Sequence, residues 1–479
     1  MLAICMLVVA GMALACATGP MVVHPSTDEK LLARVVLDDP DQVPGGQEAI
    51  LGDVIFSPTG NRVAYTVRLE IPSTAGVPGA FAGSYAVIDG EPGPVLRSLS
   101  PPVFSPDGAH VAYTGEEGQR TVLFLDGDIR HPRRVVYPPS FGRGGRWAYV
   151  ESSRFGDKMS LVLDGKPGPW FKYVWPEGFT PDGRKAIYKA QREGKVFLVM
   201  GKERSRLLDK AGSLSFNRSG SNLAYHGCEG TRCFIFVRGE QPREVPRDAE
   251  RITFSPDLRR VAFQLQGVSG RAWVIERLGD GASADGAGSD RVIGNADAGD
   301  VVDVVDVEQG QGQQTIGNDV VDGQAQQAHD DLVPGDAFLF SPDGDSFAYT
   351  MLGGGKAWLV RNHERVAQHD EIAAMAFSPD GKILAYAART GDSWQMVVDG
   401  YPYPLFERVG EPVFSPDGRT VAYPAYQGGK VFLVVGDRRH GPFDAIHDPV
   451  SFTPDSKRVG FGARLGQELW WKVIPVPGS

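Results

Sequence analysis

The sequence predicts an all-β protein built from about ten four-stranded units, and three observations support this. A short motif recurs along the chain, most clearly as Phe-Ser-Pro-Asp-Gly at Phe414–Gly418. Its copies are evenly spaced. The 479 residues include 60 glycines and 35 prolines, which turn-rich β proteins need, whereas helical periodicity is hard to find. With 42% hydrophobic residues, the chain is able to bury large cores.

The motif has the composition of a tight turn between two strands. Proline fixes the second turn position, aspartate bonds the local backbone, and glycine accepts the left-handed geometry that ends the turn. Phe414 closes one strand, and Val-Ala-Tyr at Val421–Tyr423 begins the next. Valine and tyrosine then share one sheet face, and the small alanine allows close packing on the other. Each copy therefore predicts a β-hairpin.

The motif phenylalanines define the repeat. Successive steps between them are 48, 37, 38, 37, 38, 86, 37, 37 and 38 residues, so seven of nine steps are 37 or 38. Four short strands with their turns account for such a period, which is close to that of propeller blades. The ten markers are Phe56, Phe104, Phe141, Phe179, Phe216, Phe254, Phe340, Phe377, Phe414 and Phe452.

The rest of the repeat completes a blade. The third strand often ends in Asp-Gly, as at Asp89–Gly90 and Asp399–Gly400, and this pair favours hairpin turns. An inner strand, the motif turn, a second strand, a Gly turn, a third strand, an Asp-Gly turn and an outer strand make one β-propeller blade. We expect about ten four-stranded blades in one large ring. Six blades in one ring and four in another are the alternative.

The first 19 residues form an apolar run that ends in small residues around Cys16, which resembles a bacterial lipoprotein signal. Cys16 is therefore predicted to be lipidated after export. Three alternatives stay open: an ordinary secretory signal in which Cys16 is incidental, a retained membrane anchor, and a start codon set at the wrong place.

Residues 20–48 are rich in Pro, Asp and Gln and predict a tether that contains one strand, Ala33–Leu37. Repeats 1–6 occupy residues 49–277, and repeats 7–10 occupy residues 337–479. The last repeat supplies three strands and then stops. Because a propeller avoids open edges by completing one chain end with the other, Ala33–Leu37 is predicted to pair antiparallel with the third strand of the last repeat.

Residues 278–336 interrupt the repeats. This stretch holds twelve Asp and one Glu against one Arg, with no aromatic residue, so it contributes −12 to a formal net charge of −10. The rest of the chain is near +2, and nothing in the repeats favours nucleic acid. The composition predicts a disordered acidic linker, with a scrambled former blade as the alternative. The spaced acids lack the glycine and spacing of calcium loops: Asp297, Asp300, Asp303 and Asp306.

Cys228 and Cys233 are the two cysteines beyond the leader, and they flank the turn after the second strand of repeat 5. In an exported protein this spacing predicts a hairpin disulfide. A metal-binding pair and two free thiols are the alternatives. Two cysteines alone supply too few ligands for structural zinc, so no metal site is predicted.

No catalytic motif is present in usable form: no nucleophile elbow, zinc-binding His-Glu motif, phosphate loop or dinucleotide fingerprint. His363 and His369 have no carboxylate at a motif spacing. The motif aspartates recur in repeat after repeat, which marks a turn device, since an active site needs such a residue once. They are Asp107, Asp182, Asp257, Asp343, Asp380, Asp417 and Asp455. We therefore predict no enzyme activity and no cofactor.

The Phe-Ser-Pro-Asp-Gly turn followed by a Val-Ala-Tyr strand resembles the WD40-like repeats of TolB-type β-propellers, over residues 53–276 and 337–475. This resemblance implies an exported bacterial propeller that binds other proteins through loops at one end of the ring. The chain departs from TolB itself in having more than six repeats and no room before Asp53 for its α/β domain. It also lacks the hydrolase domain that follows such repeats in prolyl-oligopeptidase-like enzymes.

Three functions follow as hypotheses. The first is a non-catalytic propeller of the cell envelope that binds a protein or glycan partner, with a lipid anchor as its only link to the membrane. The second is a propeller hydrolase or lyase with its site on the ring axis, which polar residues unique to single blades would reveal. The third is a purely structural scaffold. The step from fold to role is analogy, because propellers host unrelated functions.

Overall fold

The structure is a computed structural model, and it describes residues 25–37, 47–72, 80–118, 120–130, 134–267, 270–278, 291–293 and 333–478. Within these residues the protein is all-β, with one short 3₁₀-helix at Arg143–Gly145. The strands form ten antiparallel sheets. We number the sheets 1 to 10 by the repeat whose motif phenylalanine they contain.

The first strand precedes the repeats, and the strands of sheets 1 to 5 follow it. They are β1 (Lys30–Arg34), β2 (Glu48–Phe56), β3 (Val63–Ile71), β4 (Ala80–Ile88), β5 (Glu91–Pro92), β6 (Ser98–Leu99), β7 (Val103–Phe104), β8 (Val111–Glu117), β9 (Arg120–Leu125), β10 (Asp128–Arg130), β11 (Val135–Phe141), β12 (Trp147–Ser152), β13 (Met159–Leu163), β14 (Lys166–Pro167), β15 (Tyr173–Phe179), β16 (Ala186–Arg192), β17 (Lys195–Met200), β18 (Glu203–Arg204), β19 (Lys210–Phe216), β20 (Leu223–Glu229), β21 (Arg232–Val237) and β22 (Arg243–Val245).

Sheets 6 to 10 contain the remaining strands. They are β23 (Glu250–Phe254), β24 (Arg260–Gly267), β25 (Gly270–Arg277), β26 (Arg291–Ile293), β27 (Val333–Phe340), β28 (Phe347–Gly353), β29 (Lys356–Arg361), β30 (Glu364–His369), β31 (Glu371–Phe377), β32 (Leu384–Thr390), β33 (Ser393–Val398), β34 (Tyr401–Pro402), β35 (Arg408–Val409), β36 (Val413–Phe414), β37 (Val421–Gln427), β38 (Lys430–Val435), β39 (Arg438–Phe443), β40 (Ala445–Phe452), β41 (Arg458–Leu465) and β42 (Glu468–Pro475).

Sheets 1 to 9 follow chain order, from a first strand that ends in the motif phenylalanine to a fourth strand at the outer edge, whereas the fourth strand of sheet 10 is β1. In sheets 2 and 9 the first strand is divided in two, into β6 and β7 and into β35 and β36. Most other first strands have a bulge at the equivalent position, as between Leu51 and Val54. Prolines such as Pro176 also lie in these strands. Bulges and prolines protect an edge strand from further pairing, which explains why these strands stay unpaired on one side.

Successive sheets pack face to face along the chain. Every consecutive pair shares a cluster of buried side chains supplied by the second and third strands. The same holds across the long acidic stretch, where Trp273 of sheet 6 lies 4.6 Å from Phe338 of sheet 7, centroid to centroid. Sheet 10 in turn packs on sheet 1, where Trp471 and Phe56 belong to one core.

The N-terminal strand completes the last sheet. β1 pairs antiparallel with β42, in the register Leu31 to Trp470 and Ala33 to Leu469. The sequence places this strand at Ala33–Leu37, whereas the structure begins it three residues earlier. The chain ahead of β1 also contacts the last sheet, where the indole N–H of Trp471 donates to the Ser26 carbonyl oxygen at 3.0 Å. The chain before Leu31 is therefore held against the sheet as well.

Trp471 lies at the seam between the last and first sheets. Its side chain is fully buried and occupies the space above Gly60 and Gly460, so that a Cβ atom on either glycine would collide with the indole ring. Gly462 leaves similar room for Phe56. The last repeat has Val-Gly-Phe-Gly where other repeats have Val-Ala-Tyr, and this substitution is explained by the two aromatic rings that enter there.

His447 is a partly buried histidine at the same seam, 5.9 Å from the Phe56 ring, and its buried Nε2 atom has no hydrogen-bond partner among the residues that the structure describes. Burial, assisted by the positive charge of Arg464, lowers the pKa of His447 to about 4. As the pH falls from about 6.5 to about 4, the unfolded chain binds a proton that the folded chain does not, so stability is lost.

We predict that His447→Leu removes this pH dependence. Near pH 8 the two proteins should differ little, because the imidazole is neutral in both states. At pH 5 the variant should exceed the wild type by about 1 to 2 kcal/mol in free energy of unfolding. Urea titrations at pH 8, 6 and 5 measure this. Parallel pH profiles of the two proteins would show that His447 is accessible to protons in the folded state.

The stretch 278–336, predicted as a largely disordered linker, contains two segments that belong to sheets. Arg291–Ile293 forms the fourth strand of sheet 6, with Trp273 opposite Ile293. Val333–Phe340 is the first strand of sheet 7 and begins four residues before the predicted boundary at 337. The composition misses both segments because each is short and flanked by acidic or Gly residues. Residues 279–290 and 294–332 lie outside the described part.

Two deletions should therefore have different effects. Removing residues 295–330 takes away acidic chain without aromatic anchors, and the free energy of unfolding should stay within about 0.5 kcal/mol. Removing residues 280–333 also takes away β26 and leaves the outer edge of β25 unpaired, at a cost of about 1 to 2 kcal/mol for three cross-strand pairs. Equal melting curves for the two deletions would contradict the pairing of β26 with β25.

Candidate functional site

The sheets have two ends of different character. At the uniform end lie the motif turns between first and second strands, together with the turns between third and fourth strands. At the variable end lie the turns between second and third strands, and the connections into the next sheet. Antiparallel pairing alone fixes this division, because the chain reverses at alternate ends.

The uniform end is built from one repeated turn. In each full copy, a Ser or Thr hydroxyl donates to the aspartate Oδ1 two residues later, as from Ser415 to Asp417 at 2.6 Å. The serine Oγ also accepts the backbone N–H five residues on, at Thr420. The hydrogen bond from the Ser105 hydroxyl lowers the pKa of Asp107. Equivalent pairs involve Asp107, Asp182, Asp257, Asp343, Asp380 and Asp455. All seven aspartates thus bond their own turns.

A second contact at this end joins several of the sheets to the next one along the chain. Arg62 pairs with Asp89 of its own sheet at 2.7 Å, donates to the Ala109 carbonyl of the next sheet, and lies over the ring of Phe104. Arg146 makes the same connection to Arg184 of sheet 4. We call this contact the interblade clasp.

His110 and Asp126 are 2.6 Å apart and could be taken for a catalytic dyad. They occupy the same position as Arg62 and Asp89, and the His110 ring stacks on Phe141 of the next sheet. The nearby Ser105 hydroxyl donates to Asp107 and not to the imidazole. The pair is therefore one more interblade clasp.

At the variable end, neighbouring sheets are joined by a lysine, an aspartate and a backbone N–H group, a contact that we call the latch. Lys430 of sheet 9 pairs with Asp444 at 2.5 Å, and the other Asp444 oxygen accepts the N–H of Gly466 in sheet 10. The hydrogen bond from Lys430, followed by that from Gly466, lowers the pKa of Asp444. Two further latches have the same composition, namely Lys195, Asp209 and Gly230, and Lys356, Asp370 and Gly391. This explains the Gly-Lys that recurs after the second strand.

Between the latches, the variable end carries features unique to single blades. Phe155, in the turn between β12 and β13, is 88% exposed. Tyr173, where the chain enters sheet 4, is 41% exposed and stacks on Trp175 at 5.7 Å. The β3–β4 hairpin is longer than the equivalent hairpins, and its Phe81 is 48% exposed beneath the guanidinium of Arg68.

An open groove of about 590 Å³ lies beside the β3–β4 hairpin. Its lining mixes the charged side chains of Glu48, Arg68 and Glu70 with the apolar side chains of Ile71 and Phe81. Arg68 and Glu70 form an ion pair in it. Aromatic and arginine side chains of this kind are enriched at protein interfaces.

Some first strands carry charged residues that the equivalent strands of the other sheets lack. Glu177 pairs with Lys189 at 2.9 Å, and both side chains are largely buried. Arg251 of sheet 6 pairs with Asp336 of sheet 7 at 2.8 Å. Each of these charges thus has a partner of opposite sign, and the two ion pairs lie in different parts of the chain.

The cysteine hairpin lies at the variable end of sheet 5. Cys228 and Cys233 are opposite each other across β20 and β21, and their sulfur atoms are bonded at 2.06 Å. The structure adds His226, whose Nε2 is 4.0 Å from the Cys228 sulfur. Sequence reasoning overlooked this histidine, although its spacing of two residues from Cys228 in a strand already places both on one face.

The other predicted residues take no part in a common site. Cys16 and the acidic series Asp297, Asp300, Asp303 and Asp306 lie outside the described residues. His363 packs edge-on against Phe347, and His369 lies near the ring of Tyr386. No helix of the described chain has the length and apolar character needed to cross a bilayer.

No family profile matches this sequence, and no curated protein matches it. Among solved structures, it is similar to a eukaryotic initiation factor, at 11% identity over 75% of this chain and 88% of that chain, with a TM-score of 0.40. It is similar to the Dos1 propeller, at 9% identity over 70% and 90%, with a TM-score of 0.35. It is also similar to the β-propeller domain of the Trilobed protease from Pyrococcus furiosus, at 11% identity over 79% and 94%, with a TM-score of 0.28. Such low scores say nothing about function.

Proposed function

We propose that the ten sheets form one closed β-propeller ring, and that the protein is a non-catalytic scaffold of the cell envelope that binds a protein partner through its variable end. The observation that carries the binding proposal is the contrast between the two ends. One end repeats the same bonded turn and exposes one aromatic side chain, Tyr401, whereas the other end exposes three, Phe81, Phe155 and Tyr173, among the residues that the structure describes.

Contacts at two places support the single ring: between sheets 6 and 7, on either side of the acidic stretch, and between sheets 10 and 1. At the seam between sheets 6 and 7, Arg260 lies over the ring of Phe340, as Arg62 does over Phe104. The arginine–phenylalanine contact of the interblade clasp is thus also present between sheets 6 and 7. At the seam between sheets 10 and 1, Trp471 and Phe56 share one core. Two rings of six and four would need sheet 6 on sheet 1 and sheet 10 on sheet 7.

The partner proposal rests on the chemistry of the variable end. Phe155, Tyr173 and Phe81 are large, rigid and exposed, and each has an arginine or a second aromatic residue in or near its own turn. Such side chains supply interface hot spots because they bury much area at low entropic cost.

A capture experiment tests this. Tagged protein is crosslinked in solubilised bacterial envelope, and bound proteins are identified by mass spectrometry. We expect one partner whose recovery falls at least tenfold in the triple variant Phe155→Ser, Tyr173→Ser, Phe81→Ser. The control is Ile129→Ser, Tyr401→Ser, since these residues are 54% and 74% exposed but follow turns of the uniform end.

Other outcomes would favour the competing functions. Equal recovery from both variants would reject the variable end as the binding surface. Capture of glycan in place of protein, removed by glycosidase, would assign the aromatic residues to sugar stacking. Hydrolase or lyase activity that is lost on Glu177→Gln would support the propeller enzyme, and no capture at all would leave the structural scaffold.

The envelope location rests on the leader sequence, in which small residues surround Cys16 after an apolar run. Intact-mass spectrometry of membrane-extracted protein should show a diacylglyceryl-modified N-terminus at Cys16. An unmodified mature chain that starts elsewhere would reject the lipid anchor while leaving the binding proposal standing.

A further inference from the structure

Three potential metal ligands meet on one face of the hairpin formed by β20 and β21. Cys228 and Cys233 are cross-strand partners, and His226 precedes Cys228 by two residues. The His226 ring nitrogen and the two sulfur atoms all lie within 4.8 Å of one another. In the structure the two sulfurs are bonded, which leaves no thiolate to bind a metal.

The surroundings suit a neutral complex. Cys228 and Cys233 are 7% and 1% exposed, in a core shared with Ile235 and with Phe254 of the next sheet. A dication bound by two thiolates and a neutral imidazole has no net charge, so its burial avoids the cost of an isolated ion.

We propose that, once the disulfide is reduced, His226, Cys228 and Cys233 form a binding site for a thiophilic divalent cation of the Zn²⁺ type. Reduction breaks the sulfur–sulfur bond: a dithiol supplies two electrons and two protons, becomes a disulfide itself, and leaves two cysteine thiols. Binding of the cation then releases the two thiol protons and forms two metal–sulfur bonds and one metal–nitrogen bond. Oxidised and metal-bound hairpins exclude each other.

The histidine needs to move little, and most of the change is the separation of the two sulfur atoms after reduction. With metal–sulfur and metal–nitrogen bonds of about 2.3 and 2.0 Å, tetrahedral zinc holds a sulfur and a nitrogen roughly 3.5 Å apart and two sulfurs roughly 3.8 Å apart. His226 Nε2 already lies 4.0 Å from the Cys228 sulfur. The hairpin hydrogen bonds keep both cysteines on the same face after reduction, because a strand cannot turn one side chain over without losing its register. Three protein ligands leave the fourth position open to water or another ligand.

Cobalt is a spectroscopic probe for this site. Protein reduced with a phosphine, which leaves no competing thiol, is desalted without oxygen and titrated with Co²⁺. We expect one equivalent to bind, with thiolate-to-cobalt absorption in the near ultraviolet and the visible bands of tetrahedral cobalt, and both should disappear when Zn²⁺ is added. The oxidised protein should bind none.

Two variants distinguish the three-ligand site from metal binding by the two cysteines alone. His226→Gln keeps both cysteines, and its fold is checked first in the oxidised state by circular dichroism. It should bind cobalt about 100-fold more weakly, since even supporting residues around a metal contribute 10- to 100-fold. His369→Gln is the matched control and should bind as the wild type does. Unchanged affinity in His226→Gln, or no tetrahedral spectrum in the reduced wild type, overturns the proposal.

Discussion

Trp471→Ala should lower the free energy of unfolding by about 3 to 5 kcal/mol, the cost of removing a large aromatic side chain from a packed core. The indole is fully buried between sheets 10 and 1, and it is covered by Phe56 and by the two glycines that make room for it. Its loss also removes the hydrogen bond that holds Ser26. Denaturant unfolding followed by circular dichroism measures the effect.

The neighbouring tryptophan provides a matched control. Trp470 is partly exposed, donates its indole N–H to Glu468 at 3.0 Å and lies beneath Lys472. Contacts of this surface type contribute about 1 kcal/mol or less. Trp470→Ala should therefore cost much less than Trp471→Ala. Similar losses for the two variants would mean that the seam between the last and first sheets does not carry the predicted core.

Removal of the closing strand should have an effect of comparable size. A chain that begins at Gln47 lacks β1, so Ala33 and Val35 no longer fill the seam core, and the outer edge of β42 is exposed. The lost apolar burial alone amounts to roughly 3 to 6 kcal/mol, at about 1.5 to 3 kcal/mol for Val35 and about half of that for each of the partly buried Leu32 and Leu37. An unprotected edge also invites pairing between molecules. We expect a lower melting temperature and concentration-dependent aggregation.

A chain that begins at Pro25 is the control for this deletion. It keeps β1 and the contact of Ser26 with Trp471, and it lacks only the leader. It should unfold as the chain with the leader removed at Cys16 does. If the chain from Gln47 remained monomeric and equally stable, β1 would be an accessory strand and the seam would close without it.

The repeated part of the fold could be predicted from the sequence because it depends on local chemistry. The Pro, Asp and Gly of Phe414–Gly418 specify a turn by backbone preference alone, and the alternation of Val421–Tyr423 specifies a strand. Evenly spaced copies then give the number of sheets. The closing strand could be predicted because the last repeat supplies three strands where the other repeats supply four.

Contacts between sheets could not be predicted in the same way. The role of Arg62 at the interblade clasp depends on Ala109 and Phe104, which are more than forty residues away in sequence. The structure begins β1 at Lys30, three residues before the predicted start, and the chain ahead of it contacts Trp471 through the Ser26 carbonyl oxygen. His226 was overlooked because only the two cysteines were considered as ligands at this hairpin. A contact between distant residues depends on a side chain elsewhere in the chain, and a single sequence does not show which one.

The central claim, one closed ring completed by the N-terminal strand, is tested most directly by a crosslink between the first and last strands of the chain. Leu31 and Trp470 are opposite each other in β1 and β42. In a chain without the leader, the pair Leu31→Cys, Trp470→Cys should form a disulfide under mild oxidation, seen as a crosslinked peptide joining the two ends. The comparison pair is Leu31→Cys, Trp273→Cys, which would lie together if the strand closed a separate ring of six sheets. A crosslink between residues 31 and 470 and none between 31 and 273 is the predicted result, and the reverse would contradict the single ring.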